Sequence, residues 1–132
     1  EMTYTVDPGR LLVANAGILV TQVILVKRVP GKNFMIIDSA MNDLLRPALY
    51  SAKHQFLPVI HHENKVSEVY DLVGPVCETA DIFARDINFP KQEADNYLII
   101  KSSGAYAAVM ASTYNSRPLI KEYVVDGSKI LA

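Results

Sequence analysis

Short runs of β-branched and aromatic residues, each cut off by glycine, proline or a polar cluster, set the strongest limit on how this chain folds. Ile18 to Val26 is rich in valine and isoleucine and predicts a long strand. Lys27 to Asn33, with Pro30-Gly31 inside it, predicts a turn, and Phe34 to Asp38 a second strand returning as a hairpin. Further strands are expected at Thr3 to Val6, Leu57 to His61, Ser67 to Val73, Tyr97 to Lys101, Ala107 to Ser112 and Ile120 to Val125. Asp126-Gly127 predicts a tight hairpin turn into Lys129-Ile130-Leu131. Helical signals are few: a turn at Leu11 to Ala16, a mixed stretch at Met41 to Ala52, and a short surface helix at Thr79 to Asp86. Pro90 to Asp95 reads as a solvated loop. Many short strands between turns imply an all-β domain, a mainly antiparallel barrel or sandwich.

The chain has 132 residues, half of them hydrophobic and a fifth charged, which suits one domain with one core. A net charge of −1 without a basic cluster argues against nucleic acid or an anionic membrane as partner. The longest apolar stretch, Leu11 to Val26, contains Asn15, Gly17, Thr21 and Gln22 and is too short and polar for a membrane span. Asp7 and Arg10 interrupt any N-terminal apolar run that a signal peptide would need. The single cysteine fits a reducing compartment, so a cytoplasmic location is expected. The chain opens without methionine, on a strand-like stretch rather than a polar linker, which suggests a piece of a longer polypeptide.

That cysteine lies in Gly74-Pro75-Val76-Cys77-Glu78-Thr79, directly after a strand. Gly-Pro breaks the pairing, so Cys77 and Glu78 are expected at a strand-to-loop corner. A free cysteine is commonly a small core hydrophobe. At a corner beside a carboxylate, a thiolate nucleophile is disfavoured, and a thiol in that setting suits proton donation. Asp7-Pro8-Gly9-Arg10 is a turn in which a backbone N–H and a guanidinium can hold an anion. Arg46 and Tyr50 are four apart and share a face if the segment is helical from Pro47. Tyr106 projects from the small-residue corner Ser103-Gly104-Ala105. Each of these also has a plainer reading, as a turn, a solvated arginine or a packed tyrosine. His54 and His61-His62-Glu63 make a poor metal set, because adjacent strand residues face opposite ways.

Six segments in order carry a family resemblance. They are Asp7-Pro8-Gly9-Arg10 with Val13-Ala14-Asn15-Ala16-Gly17; Asp38-Ser39-Ala40-Met41-Asn42-Asp43; Arg46-Pro47-Ala48-Leu49-Tyr50; Gly74 to Thr79; Gly104-Ala105-Tyr106; and Tyr114-Asn115-Ser116-Arg117-Pro118. Together they resemble the C-terminal part of the diaminopimelate decarboxylases, pyridoxal-phosphate enzymes of the alanine-racemase-like fold group. The resemblance implies a Greek-key β-domain over residues 11–132. Residues 1–10 would be the last strand and exit of an N-terminal (β/α)8 barrel, which carries the lysine that forms a Schiff base with the cofactor.

It also implies roles. Asp7, where the family usually has glutamate, would pair with the pyridine nitrogen of pyridoxal 5'-phosphate and keep the ring an electron sink. Gly9 and Tyr106 would hydrogen-bond the cofactor phosphate. Arg10, Arg46 and Tyr50 would bind the distal carboxylate of meso-diaminopimelate, the precursor of L-lysine. Cys77 and Glu78 would enter the partner's active site in a homodimer, Cys77 as general acid and Glu78 as acceptor for the distal ammonium. Thr79-Ala80 stands where the family usually has Ser-Gly. The alternatives are a related decarboxylase for ornithine, arginine or a carboxylated polyamine, and a non-catalytic homologue serving as a binding module. Ornithine-type enzymes usually show Cys-Asp at the corner and lack the Arg46 counterpart. A substrate without a distal carboxylate does not need that arginine, and burying an unpaired one would be costly.

Overall fold

The computed structural model describes residues 2–60 and 66–131. His61, His62 and Glu63 lie outside the described residues; among the described ones, no three metal-ligating side chains converge. No helix there is long and apolar enough to cross a membrane.

Among the described residues, eight strands and two short helices make up the regular structure: α1 (Gly9–Val13), β1 (Leu19–Val29), β2 (Lys32–Ile37), α2 (Arg46–Tyr50), β3 (Phe56–Pro58), β4 (Ser67–Val73), β5 (Ile82–Pro90), β6 (Tyr97–Ile100), β7 (Val124–Asp126) and β8 (Lys129–Leu131). Single 3-10 turns lie at Ala14–Ala16, Ala108–Met110 and Tyr114–Ser116. The first six strands form one sheet in the order β3-β6-β1-β2-β4-β5, and β7 pairs only with β8. All neighbours are antiparallel except β2 and β4.

Pro30-Gly31 closes the β1–β2 hairpin. Proline fixes the first turn position and Gly31 takes φ +80°, which only glycine adopts without strain. The parallel β2–β4 pair then forces a long connection, since a hairpin cannot join parallel strands. That connection carries α2 and β3 across the sheet. One cleft of about 640 Å³ runs between α2, edge strand β3 and edge strand β5, so α2 bridges the seam of a nearly closed barrel. The core is built from Leu19, Val23, Met35, Ile37, Leu72 and Ile100 with Phe83 and Phe89 from β5.

Several local expectations fail or shift. Thr79 to Asp86 is no helix: β5 starts at Ile82 and pairs with β4 from Val73. Its charges belong to an irregular step in the ladder, where Asp86 at φ +52° donates its N–H to Asp71 Oδ1 at 3.0 Å. Ala107 to Ser112 is a 3-10 turn, because Tyr106 at φ +59° swings the chain out of the extended region and no strand lies alongside. Thr3 to Val6 is exposed and unpaired among the described residues, and a strand exists only with a partner. In the Pro90 to Asp95 loop Gln92 is buried, its N–H donating to the Tyr70 hydroxyl at 3.3 Å. The strand at Leu57 is shorter than expected and shifted by one residue, and that at Ile120 begins only at Val124. The last turn centres on Gly127-Ser128 rather than Asp126-Gly127, with Gly127 at φ +59°.

Candidate active site

Two glycines decide where Arg10 sits. The segment after α1 crosses the Ser102–Tyr106 corner at Gly17 and Gly104, with Ser103 N–H donating to Gly17 O and Gly104 N–H to Ala14 O, both 3.0 Å. A β-carbon on Gly17 would lie 2.5 Å from Gly104 Cα, and one on Gly104 would strike Val13 O. Ser102 Oγ reinforces the crossing by donating to Asn15 Oδ1 at 2.7 Å. This close approach sets the Arg10 guanidinium 5.4 Å from the centre of the Tyr106 ring.

Helix α2 supplies the second cation. Proline at its start presets the backbone, and Ser51 ends it at φ +53°. The Arg46 guanidinium lies 5.1 Å from the Tyr106 ring and 5.0 Å from the Tyr50 ring. Each cation–π contact at such an exposed position contributes about 0.5–1 kcal/mol. Two guanidiniums against one ring repel each other, and neither has a carboxylate partner among the described residues. The arrangement is chemically suited to an anion, which would lower that repulsion and accept bidentate hydrogen bonds. Tyr106 holds a left-handed backbone, a strain of order 1–3 kcal/mol of the kind found at ligand sites. Both tyrosine rings remain substantially exposed, so their hydroxyls are open to a ligand.

Just before Arg10, Asp7 folds back on its own turn, and its Oδ1 accepts the Gly9 N–H at 3.4 Å. Both residues are exposed.

The cysteine corner is a separate cluster. Cys77 is exposed, as expected of a corner rather than a core position. Glu78 is exposed too; its Oε1 accepts the Ala80 N–H and its Oε2 the Tyr114 hydroxyl, each at 3.4 Å. No hydrogen bond, ion pair or cation–π contact joins Cys77 or Glu78 to the arginine cluster among the described residues. The cleft beside α2 is lined by Thr79 and Ala80, just after the corner, by Pro47 and Ala48 of α2 and by Ser51 at its end, and by none of Arg10, Arg46, Tyr50, Tyr106, Cys77 and Glu78.

Asp81 and Tyr114 were not singled out as site residues from the sequence. Asp81 is 2% exposed. Its Oδ2 accepts the Val76 N–H at 2.8 Å and its Oδ1 the Met41 N–H at 2.7 Å. Burial pushes its carboxyl above the ordinary range, and those two N–H groups oppose the rise. Tyr114 is held by Asn42, whose Nδ2 donates to the carbonyls of Ser112 at 3.0 Å and Tyr114 at 2.8 Å. Arg117 donates to Asp38 O at 2.7 Å and faces Asp43 Oδ2 at 3.4 Å. The motif Tyr114 to Pro118 was visible as part of the resemblance, but nothing in it indicates contact with Glu78. A lone aspartate between Ala80 and Ile82 offers no signal at all.

Comparison with known proteins identifies relatives of this chain. Residues 3–104 match the family model described as the C-terminal sheet domain of pyridoxal-dependent decarboxylases. A diaminopimelate decarboxylase of Vibrio cholerae is 50% identical over 129 residues, covering 98% of this chain and 30% of that protein. One from Helicobacter pylori is 42% identical over 130 residues, covering 98% of this chain and 32% of that protein. A crystal structure of the Helicobacter pylori enzyme complexed with L-lysine superposes with a TM-score of 0.84 at 43% identity, over 92% of this chain and 29% of that one. The chain thus spans about a third or less of the length of the curated relatives it matches. Lysine decarboxylase from Selenomonas ruminantium, at 22% identity and TM-score 0.73, shares the fold. With the matched residues running from the turn before α1 through the Gly104 corner, this chain belongs to the pyridoxal-dependent decarboxylase family, as its C-terminal sheet domain.

Proposed function

We propose that this chain is the C-terminal β-domain of a diaminopimelate decarboxylase, acting in a longer polypeptide that converts meso-2,6-diaminopimelate to L-lysine and CO2. One observation carries the reading: Arg10 and Arg46 converge on Tyr106, with Tyr50 beside them and, among the described residues, no carboxylate paired with them. A substrate with a second carboxylate needs such a receptor; ornithine does not.

The residues suit pyridoxal phosphate as well. The Tyr106 hydroxyl and the Gly9 N–H are donors for a phosphate, and exposed Asp7 is an anion for a protonated pyridine nitrogen. When bound, the cofactor supplies an electron sink that accepts the charge released as CO2 leaves. The chain's own residues do the rest. Arg10, Arg46 and Tyr50 hold the distal carboxylate and so fix which end of the substrate meets the cofactor. Glu78 accepts hydrogen bonds from the distal ammonium. Cys77 donates a proton from Sγ to the carbon that lost its carboxylate. Cys77 and Glu78 serve a second subunit's site in a homodimer. Cys77 is exposed, and no contact among the described residues ties it to the arginine cluster, which supports that division.

The test is product formation by the full-length polypeptide with pyridoxal phosphate. L-Lysine and CO2 should appear from meso-diaminopimelate, with ornithine and arginine turned over far more slowly. Faster turnover of ornithine would sink the proposal. The 132-residue chain alone should form no lysine.

A further inference from the structure

We infer that Asp81 is a positioning residue that fixes the Cys77–Glu78 corner against the segment leading to α2. The inference rests on the role proposed for Cys77.

A loop after a strand end has free backbone donors and no ladder to satisfy them. In this corner Asp81 takes two of them, one on its carboxylate and one on its main-chain carbonyl. Asp81 Oδ2 takes the N–H of Val76, the residue before the cysteine, at 2.8 Å. Asp81 O accepts the Gly74 N–H at 3.0 Å, and Asp81 N–H donates to Glu78 O at 3.0 Å. The corner is therefore wrapped around Asp81 from both sides. The other carboxylate oxygen reaches outside the corner, to Met41 N–H at 2.7 Å, in the connection that runs on to Arg46. Gly74 leaves the room for this: a β-carbon there would collide with both Asp81 carboxylate oxygens and Cγ. The groups of other elements that act on Asp81 are Arg117, which favours its charge, and Asp43, which opposes it. Asp81 itself is buried and cannot touch substrate, whereas Cys77 beside it is exposed. A buried clamp with an exposed thiol at its tip is what a proton donor needs, since small misplacements of a reacting group cost large rate factors.

Asp81→Asn keeps the shape but replaces one acceptor oxygen by an NH2 that faces a donor. In the unsubstituted 132-residue chain, the Val76 and Met41 amides should exchange hydrogen at least about 10-fold more slowly than unstructured amides. In Asp81→Asn, one or both should lose that protection while Val23 and Ile37 keep theirs, and iodoacetamide should alkylate Cys77 at a changed rate. In the full-length polypeptide the same substitution should lower kcat for meso-diaminopimelate by about 10-fold or more, with KM within roughly 3-fold. Unprotected Val76 and Met41 amides in the unsubstituted chain would overturn the clamp without any variant having to fold. An unchanged kcat in a folded Asp81→Asn polypeptide would overturn its positioning role. If the unsubstituted polypeptide releases no CO2 from meso-diaminopimelate, the proposed function fails instead, and exchange and alkylation still decide the clamp.

Discussion

Tyr106 has two guanidiniums within 5.4 Å of its ring centre on a backbone conformation that favours glycine, and Cys77 stands exposed on a corner clamped by a buried acid. Tyr106 is held against local preference, which is where function is to be sought. Replacing Cys77 by alanine in the full-length polypeptide should lower kcat by about 10²-fold, the usual contribution of a positioned proton donor. The absorbance of the bound cofactor should be unchanged. Full activity would remove Cys77 from the mechanism. The residue types at the site were legible in the sequence because arginine, tyrosine and cysteine announce their chemistry, and short motifs placed them at turns. Asp81 was not legible. An aspartate's role depends on which N–H groups the fold brings to it, and Met41 lies forty positions away.

Strand β5 shows the same limit one scale up. Arg85-Asp86 in its middle looks like the wet face of a helix until Asp71 of β4 is placed beside it. Asp71 is 1% exposed, with Lys32 Nζ at 2.8 Å and Arg85 Nη1 at 3.4 Å. Burial alone would raise its carboxyl, but Lys32, the Asp86 N–H and Arg85 together hold it below the ordinary carboxylate range. A depressed folded pKa contributes stability above the unfolded carboxylate value, and that stability is lost as pH falls through the lower folded value. Asp71→Asn should therefore destabilise the chain near neutral pH by roughly 1–3 kcal/mol. The gap from the parent should narrow as pH drops below about 4. Denaturant titrations at several pH values check this, and a gap constant down to strong acid would contradict it. Beside Asp71 in the chain, the Tyr70 hydroxyl donates to Glu68 Oε2 at 2.6 Å, and burial followed by that bond pushes its pKa up to about 12. The β1–β2 hairpin and β4 were legible because their patterns are local. The irregular β4–β5 pairing was not, because its charges are satisfied across strands.

For the whole molecule, the exposed apolar surface matters most. Among the described residues hairpin β7–β8 joins no other strand, yet it exposes Val124, Val125, Ile130 and Leu131. An isolated two-stranded hairpin is at best marginally stable in water. Met2, Tyr4, Val6, Leu11 and Leu12 are exposed as well. Such surface marks an interface, and a barrel domain of the same polypeptide is its proposed cover. The 132-residue chain by itself should then self-associate, its weight-average mass rising with concentration in sedimentation equilibrium. A monomer across the micromolar range would contradict this. The all-β class was legible from turn spacing alone, whereas the sheet order β3-β6-β1-β2-β4-β5 was not, since no local pattern reveals a parallel β2–β4 pair. The central claim is that the arginine pair around Tyr106 reads a distal carboxylate on behalf of the full-length enzyme. The most direct measurement is kcat/KM for meso-diaminopimelate with Arg46→Ala in that polypeptide. Loss of a charge-assisted bidentate partner predicts a fall of about 10²-fold, carried mainly by KM. An unchanged kcat/KM would contradict the account.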